Sequence, residues 1–213
     1  MGVADRVVER SVRGVRSRAE QEVHVLLEAA FSVLHHGGIN GLTVAEVLAE
    51  AGLSTRAFYR HFAGKDELVL ALFARESERA TAKRRAAIAG AGSPRAALDA
   101  WVDDVLALGY EPRRAARTRV LQSEGTRLAR EFPKDFARIR GDELSPLVEI
   151  LERGCEDGTF PDARPQLDAR TIHAVVWSLA SARLDGLDLS VGDVRAHVMR
   201  YCLPALGVGK RRP

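Results

Sequence analysis

Arg56, Tyr59, Arg60 and His61 crowd into one short stretch, STRAFYRHF, that begins at Ser54. All are hydrogen-bond donors, and none forms part of a nucleophile or acid/base constellation. The chemistry they suit is recognition of anionic and hydrogen-bonding surfaces. An arginine fork can pair with O6 and N7 of a guanine, while tyrosine, histidine and threonine groups donate to phosphate oxygens. At helical spacing Phe58 and Phe62 sit four apart and face a core. That leaves Arg56, Tyr59 and Arg60 on the opposite side, with Thr55 and His61 on the flanks.

Such a face needs elements to hold it. From Thr43 to Phe62 the chain reads TVAEVLAEAGLSTRAFYRHF, which fits two short helices around a tight turn at Gly52. This is a helix-turn-helix pattern, whose second helix enters the DNA major groove. Thr43 and Glu46 make a T-x-x-E capping box, and Ser54 caps the next helix. Val44, Val47, Leu48 and Leu53 supply the inward face. A preceding helix is expected from about Ala19 to His36, with Val23, Leu26, Leu27, Ala30, Phe31 and Leu34 as its apolar stripe and Gly37–Gly38 as its stop. A fourth helix starts near Lys65 and Asp66 and runs past Arg85, with Leu68, Leu72 and Phe73 apolar.

The Gly90–Ala91–Gly92 segment breaks the pattern, and a domain boundary is placed near it. Ser93–Pro94 then opens a run of helices: Pro94 to Leu108, Arg113 to Arg130, and Pro133 to Asp157, the last kinked or split by Pro146. After a loop over Gly158 to Pro165, helices follow from Asp168 to Leu184 and from Ser190 to Leu206. The expected division is a basic flexible arm over 1–18, a DNA-binding domain over 19–66 with its motif at 43–62, an effector-binding and dimerisation domain over 67–206, and a basic tail over 207–213.

Composition narrows the class. Among 213 residues 46% are apolar but only 6% aromatic, and no stretch alternates like a strand, so the chain is expected to be all-α with about nine helices. A net charge of +3 does not by itself establish nucleic-acid binding; its placement in Arg6, Arg10, Arg13, Arg16 and Arg18 says more. That arm either adds DNA contacts or is a solubilising extension. Cys155 and Cys202 have no metal-type spacing and read as small apolar residues in a reducing compartment. His35–His36 reads as a solvated helix end rather than a metal site. With no apolar run long enough to span a membrane and no signal-peptide core at the N-terminus, a cytoplasmic location is expected, and no cofactor.

From Gly41 to Leu68 the sequence closely resembles the TetR family of bacterial transcriptional regulators. The matching positions are Gly41, Leu42, Thr43, Val44, Val47, Ala51, Gly52, Leu53, Ser54, Phe58, Tyr59, His61, Phe62, Lys65 and Leu68. The resemblance covers about the first third of the chain, counting the preceding helix. It implies a homodimer with two DNA-binding heads and a helical ligand-binding core. It also implies that Thr43, Tyr59, His61 and Lys65 bind phosphates and that Thr55 and Arg56 approach base edges, with Arg60 nearby and Ser54 counted with them. Leu48 and Ala45 depart from common family residues and leave the operator sequence open.

For the remainder, Trp101, Val105, Leu121, Phe132, Phe136, Leu151, Phe160, His173 and Trp177 are candidate walls of an effector cavity. A tryptophan and a histidine there suit a small, mostly apolar effector with one polar handle. Each is also an ordinary core residue. The last two helices carry apolar residues on more than one face, which fits a four-helix homodimer interface. The reading is a ligand-responsive repressor of a palindromic double-stranded operator. Its rivals are an activator or partner-controlled regulator of the same fold, and a helical enzyme, for which the sequence offers no catalytic constellation.

Overall fold

The computed structural model describes residues 3–209. Among them the chain is all-α, with helical segments α1 (Val3–Gly41), α2 (Val44–Ala51), α3 (Thr55–His61), α4 (Lys65–Ala89), α5 (Pro94–Tyr110), α6 (Pro112–Glu131), α7 (Pro133–Glu156), α8 (Pro165–Leu184) and α9 (Val191–Ala205). Lys210, Arg211 and Arg212 of the expected basic tail lie outside the described residues.

Helix α1 begins at Val3 rather than near Ala19, so the segment expected as a separate flexible arm has helical backbone from Val3 on. Between Val3 and Ala19 only Gly14 disfavours a helix, at a cost of about 1 kcal/mol, and no proline intervenes. The side chains of that segment's arginines up to Arg13 lie outside the described residues. The helical path breaks at Gly38, which adopts φ 63°, the left-handed conformation that glycine takes without a Cβ penalty.

Two compact units divide the chain between Arg75 and Glu76, inside α4. The Gly90–Gly92 segment instead separates α4 from α5 within the second unit. In the first unit Leu26, Ala30 and Leu34 of α1 are buried together with Leu42, Val47, Phe58 and Phe62. In the second, α5 packs along α8 and α7, and Leu98, Trp101, Val102, Val105, Leu147, Leu151, Phe160 and Val176 form one apolar cluster. Gly109 marks the tightest crossing there, because a Cβ at this position would collide with the carbonyl oxygen of Ala180.

Helix α7 continues as one helix across Pro146, so of the expected kink or split the split does not occur. Proline has no N–H for the carbonyl of Asp142, four residues back. Ser145 Oγ donates to that carbonyl instead, at 2.8 Å.

Candidate nucleic-acid interface

The turn that aims α3 is built from caps. Thr43 Oγ1 accepts from the Glu46 backbone N–H (3.2 Å), and the Thr43 N–H donates to Glu46 Oε2 (3.1 Å), closing the capping box. Thr43 Oγ1 also donates to Glu46 Oε2 at 2.9 Å, so its hydroxyl serves the cap on both counts. Gly52 turns the chain at φ 63°, ψ 29° while its N–H donates to the Leu48 carbonyl. Ser54 Oγ then accepts from the Ala57 N–H at 3.2 Å and starts α3.

Along α3 the expected two faces are present. Ala57 and Phe58 are buried, and Phe58 packs against Phe62 with ring centres 5.6 Å apart. Thr55, Arg56, Tyr59 and Arg60 are exposed, Tyr59 to 59%, an unusual degree for a large aromatic side chain that folding alone would cover. Its ring stands edge-on to Phe58 at 5.2 Å, which braces an otherwise exposed side chain. Lys65 is half-buried at the first position of α4.

His61 departs from the expectation. Its side chain is only 9% exposed and turns toward α1, where Nε2 lies 2.8 Å from Glu22 Oε2. Glu22 also receives Arg60 Nη2 at 3.5 Å and Arg18 Nε at 3.4 Å. The His61 hydrogen bond, followed by the charges of Arg60, His61 and Arg18, holds the Glu22 carboxyl below its ordinary value, although burial works in the other direction. His61 therefore fastens α3 to α1 and does not share the exposed face. The motif could not reveal this, because Glu22 lies far upstream in a helix where it looks like any surface carboxylate.

The candidate effector residues separate into groups. Trp101, Val105, Leu151 and Phe160 belong to the buried cluster of the second unit, and the half-buried Trp177 packs against it. Trp101 and His173 have ring centres 6.1 Å apart, and His173 stacks on Trp177 at 6.4 Å, so three of the expected residues meet. Phe136 is buried beneath the Arg140 guanidinium, 5.2 Å from its ring centre. Leu121 and Phe132 are half-buried and lie outside the cluster. Burial, assisted by Arg140 and Arg84 and opposed by Glu143, lowers the His173 pKa to about 4, so the ring is neutral near pH 7.

The cysteines differ from each other. Cys202 is buried, as expected of a small apolar residue, and burial raises its thiol to about 11. Cys155 is exposed, a correction to the apolar reading, and burial of its sulfur with the nearby Asp168, Glu152 and Glu156 also raises its thiol. Both shifts oppose thiolate chemistry. His35 and His36 are exposed, with His36 Nδ1 2.8 Å from the Ser32 carbonyl, as a solvated helix end should be.

Residues 26–72 match the family described as bacterial regulatory proteins, tetR family. The A-factor receptor protein of Streptomyces griseus is 28% identical over 197 residues, covering 90% of this chain and 66% of its own, so this chain spans just under two thirds of that relative's length. The HTH-type transcriptional repressor KstR2 of Mycobacterium tuberculosis is 26% identical over 155 residues, 71% of this chain and 76% of its own. Among solved structures, the regulator FadR of Bacillus subtilis in complex with stearoyl-CoA superposes with a TM-score of 0.67 at 15% identity, over 85% of this chain and 98% of that one. The capped turn, the glycine at its corner and the matched segment agree, and residues 26–72 form a helix-turn-helix segment similar to that of the tetR family of bacterial regulatory proteins.

Proposed function

We propose that the chain is a homodimeric repressor that binds a palindromic operator and releases it when a small molecule enters the second unit. The observation that carries the DNA half is the α3 surface: Thr55, Arg56, Tyr59 and Arg60 exposed together above a capped turn and a phenylalanine core. Arg56 reads a base edge, and Tyr59 with Arg60 anchors the phosphates. Thr43, Ser54 and His61 act by holding the helix in place, and Lys65 adds charge at the start of α4.

One head binds too weakly for selective control, so two are needed, with recognition helices roughly 34–36 Å apart to meet successive major grooves. The exposed apolar side chains Leu167 on α8 and Val191 and Tyr201 on α9 favour dimerisation through the last two helices. Repression and a small-molecule switch draw support from relatives: KstR2 is named a transcriptional repressor, and FadR was solved with stearoyl-CoA. For the switch to work, the effector must bind the operator-competent and released states unequally.

Selection of an operator from random duplex DNA, followed by sedimentation of the complex, tests this reading. A two-fold symmetric site bound by two chains is expected, with displacement by at least one metabolite fraction. An asymmetric site bound by one chain would refute the dimer. Selection of a symmetric site that no metabolite displaces would favour a regulator controlled by a protein partner.

A further inference from the structure

The buried face of α4 changes character along its length. Before the unit boundary it consists of Leu68, Val69, Leu72 and Phe73; beyond it come Glu76, Ser77, Thr81 and Arg84, none more than 9% exposed. Most of these polar groups have partners within the second unit. Ser77 Oγ donates to Glu143 Oε1 at 2.8 Å, Arg84 Nε donates to Asp104 Oδ2 at 3.0 Å, and Glu76 Oε2 accepts from Arg117 Nε at 2.8 Å.

Two donors do not. Thr81 Oγ1 and Trp101 Nε1 are buried without a hydrogen-bond partner. The Trp101 indole is fully buried, yet two polar groups stand near its ring: the Arg84 guanidinium lies 5.8 Å above it and His173 is 6.1 Å away. A buried indole N–H ordinarily finds an acceptor. Thr81 sits one turn before Arg84 on the same α4 face.

The local charge is unevenly matched. Asp104 holds both Arg84 and Arg114, at 3.0 and 2.9 Å, and Glu76 holds both Arg117 and Arg79, at 2.6 and 3.2 Å. The arginines at Glu76 are nearly half exposed, whereas Asp104 lies between two little-exposed guanidinium groups, so the interior beside Trp101 favours an additional anion. His173, neutral near pH 7, contributes a polar edge without charge. Around this polar layer the unit is apolar, with Val105, Leu151 and Val176 in the same cluster as Trp101.

We infer that the second unit binds an amphipathic carboxylate, whose head accepts hydrogen bonds from Trp101 Nε1 and Thr81 Oγ1 beside Arg84 and whose hydrocarbon part packs on the surrounding apolar cluster. A singly charged head matches the excess of one arginine at Asp104. A neutral tail alone would leave both donors unmet, and a cationic head would face Arg84. The inference rests on the ligand-responsive reading above and specifies its chemistry.

The test uses the full chain with 15N-labelled tryptophan, titrated with straight-chain carboxylates from hexanoate to palmitate and with the alcohols and amines of matching length. The chain has two tryptophans, so loss of one indole signal in Trp101→Phe assigns the other. Saturable carboxylate binding that moves the Trp101 N–H resonance is expected, with alcohols weaker and amines inactive. Trp101→Phe and Thr81→Val should each weaken carboxylate binding by about tenfold, with cooperative unfolding retained as the check on folding. Amines binding as well as carboxylates, carboxylates binding without moving that resonance, or no saturable binding at any length would overturn the inference. Operator release is scored separately. A neutral or cationic metabolite that releases operator while no carboxylate binds would remove the carboxylate head and leave the ligand-responsive reading intact. Carboxylate binding without operator release would do the reverse.

Discussion

His61 on α3 and Glu22 on α1 meet at 2.8 Å, joining two helices whose sequences give no hint of each other. The contact gives His61 a positioning role, because its imidazole is occupied inside the first unit while Tyr59 and Arg56 remain in solvent. A residue on the motif's list of phosphate ligands thus serves the orientation of its neighbours.

Replacing His61 by Gln should lower the melting temperature and weaken operator binding by about tenfold, with an unchanged slope of log K against log salt. Tyr59→Phe should instead weaken all sequences similarly and leave folding intact. Titrations at several salt concentrations separate the two. A slope reduced by about one in the His61 variant would restore the histidine to the phosphate contacts.

Arg56→Ala should cost about 1–3 kcal/mol at one base pair and relax preference there, with little effect on stability because the side chain is exposed. Competition among single-base operator variants measures this. Equal losses on every sequence would move Arg56 from base reading to phosphate anchoring.

What the sequence discloses depends on the distance between partners. Thr43 with Glu46, Gly52, Ser54, and Phe58 with Phe62 all act within one turn or two, so spacing alone places them, and the structure agrees. The contact of His61 is not legible in the sequence because its partner lies 39 residues away. Ser77, Thr81 and Arg84 were missed for a different reason: polar residues at buried helical phases look the same in sequence as polar residues on a wet face. Pro146 was judged from its missing N–H alone, without the neighbouring Ser145 hydroxyl that takes over the freed carbonyl.

His173 makes the second unit sensitive to acid. Its pKa falls from 6.5 to about 4 on folding, first through burial and then through Arg140 and Arg84, against the opposing Glu143. Above pH 6.5 both states are neutral and the group contributes nothing. As pH drops from there toward about 4, the unfolded chain binds a proton that the folded chain refuses, and stability falls by up to about 1.4 kcal/mol per pH unit. Urea unfolding of the native protein and His173→Gln across this range should give curves that separate as pH falls, the native protein losing stability that the variant keeps. Parallel curves would exclude the histidine as the source.

Gly109→Ala tests the α5–α8 crossing. The new methyl group meets the Ala180 backbone carbonyl, which cannot swing aside as a side chain could. A loss of about 3 kcal/mol is expected from chemical denaturation, at the upper end for overpacking by one methyl. A change under about 0.5 kcal/mol would mean that the two helices separate easily.

Asp104 and Glu76 each grip two arginines. A carboxylate held this way can let one go and still keep a partner, so a shift of these helices need not leave either acid bare. The leucines and valines packed around Trp101 offer nothing comparable, since opening them simply leaves a gap. If the helices of this unit shift, the motion has a built-in succession of footholds along α4, each one an exchange of ion-pair partners.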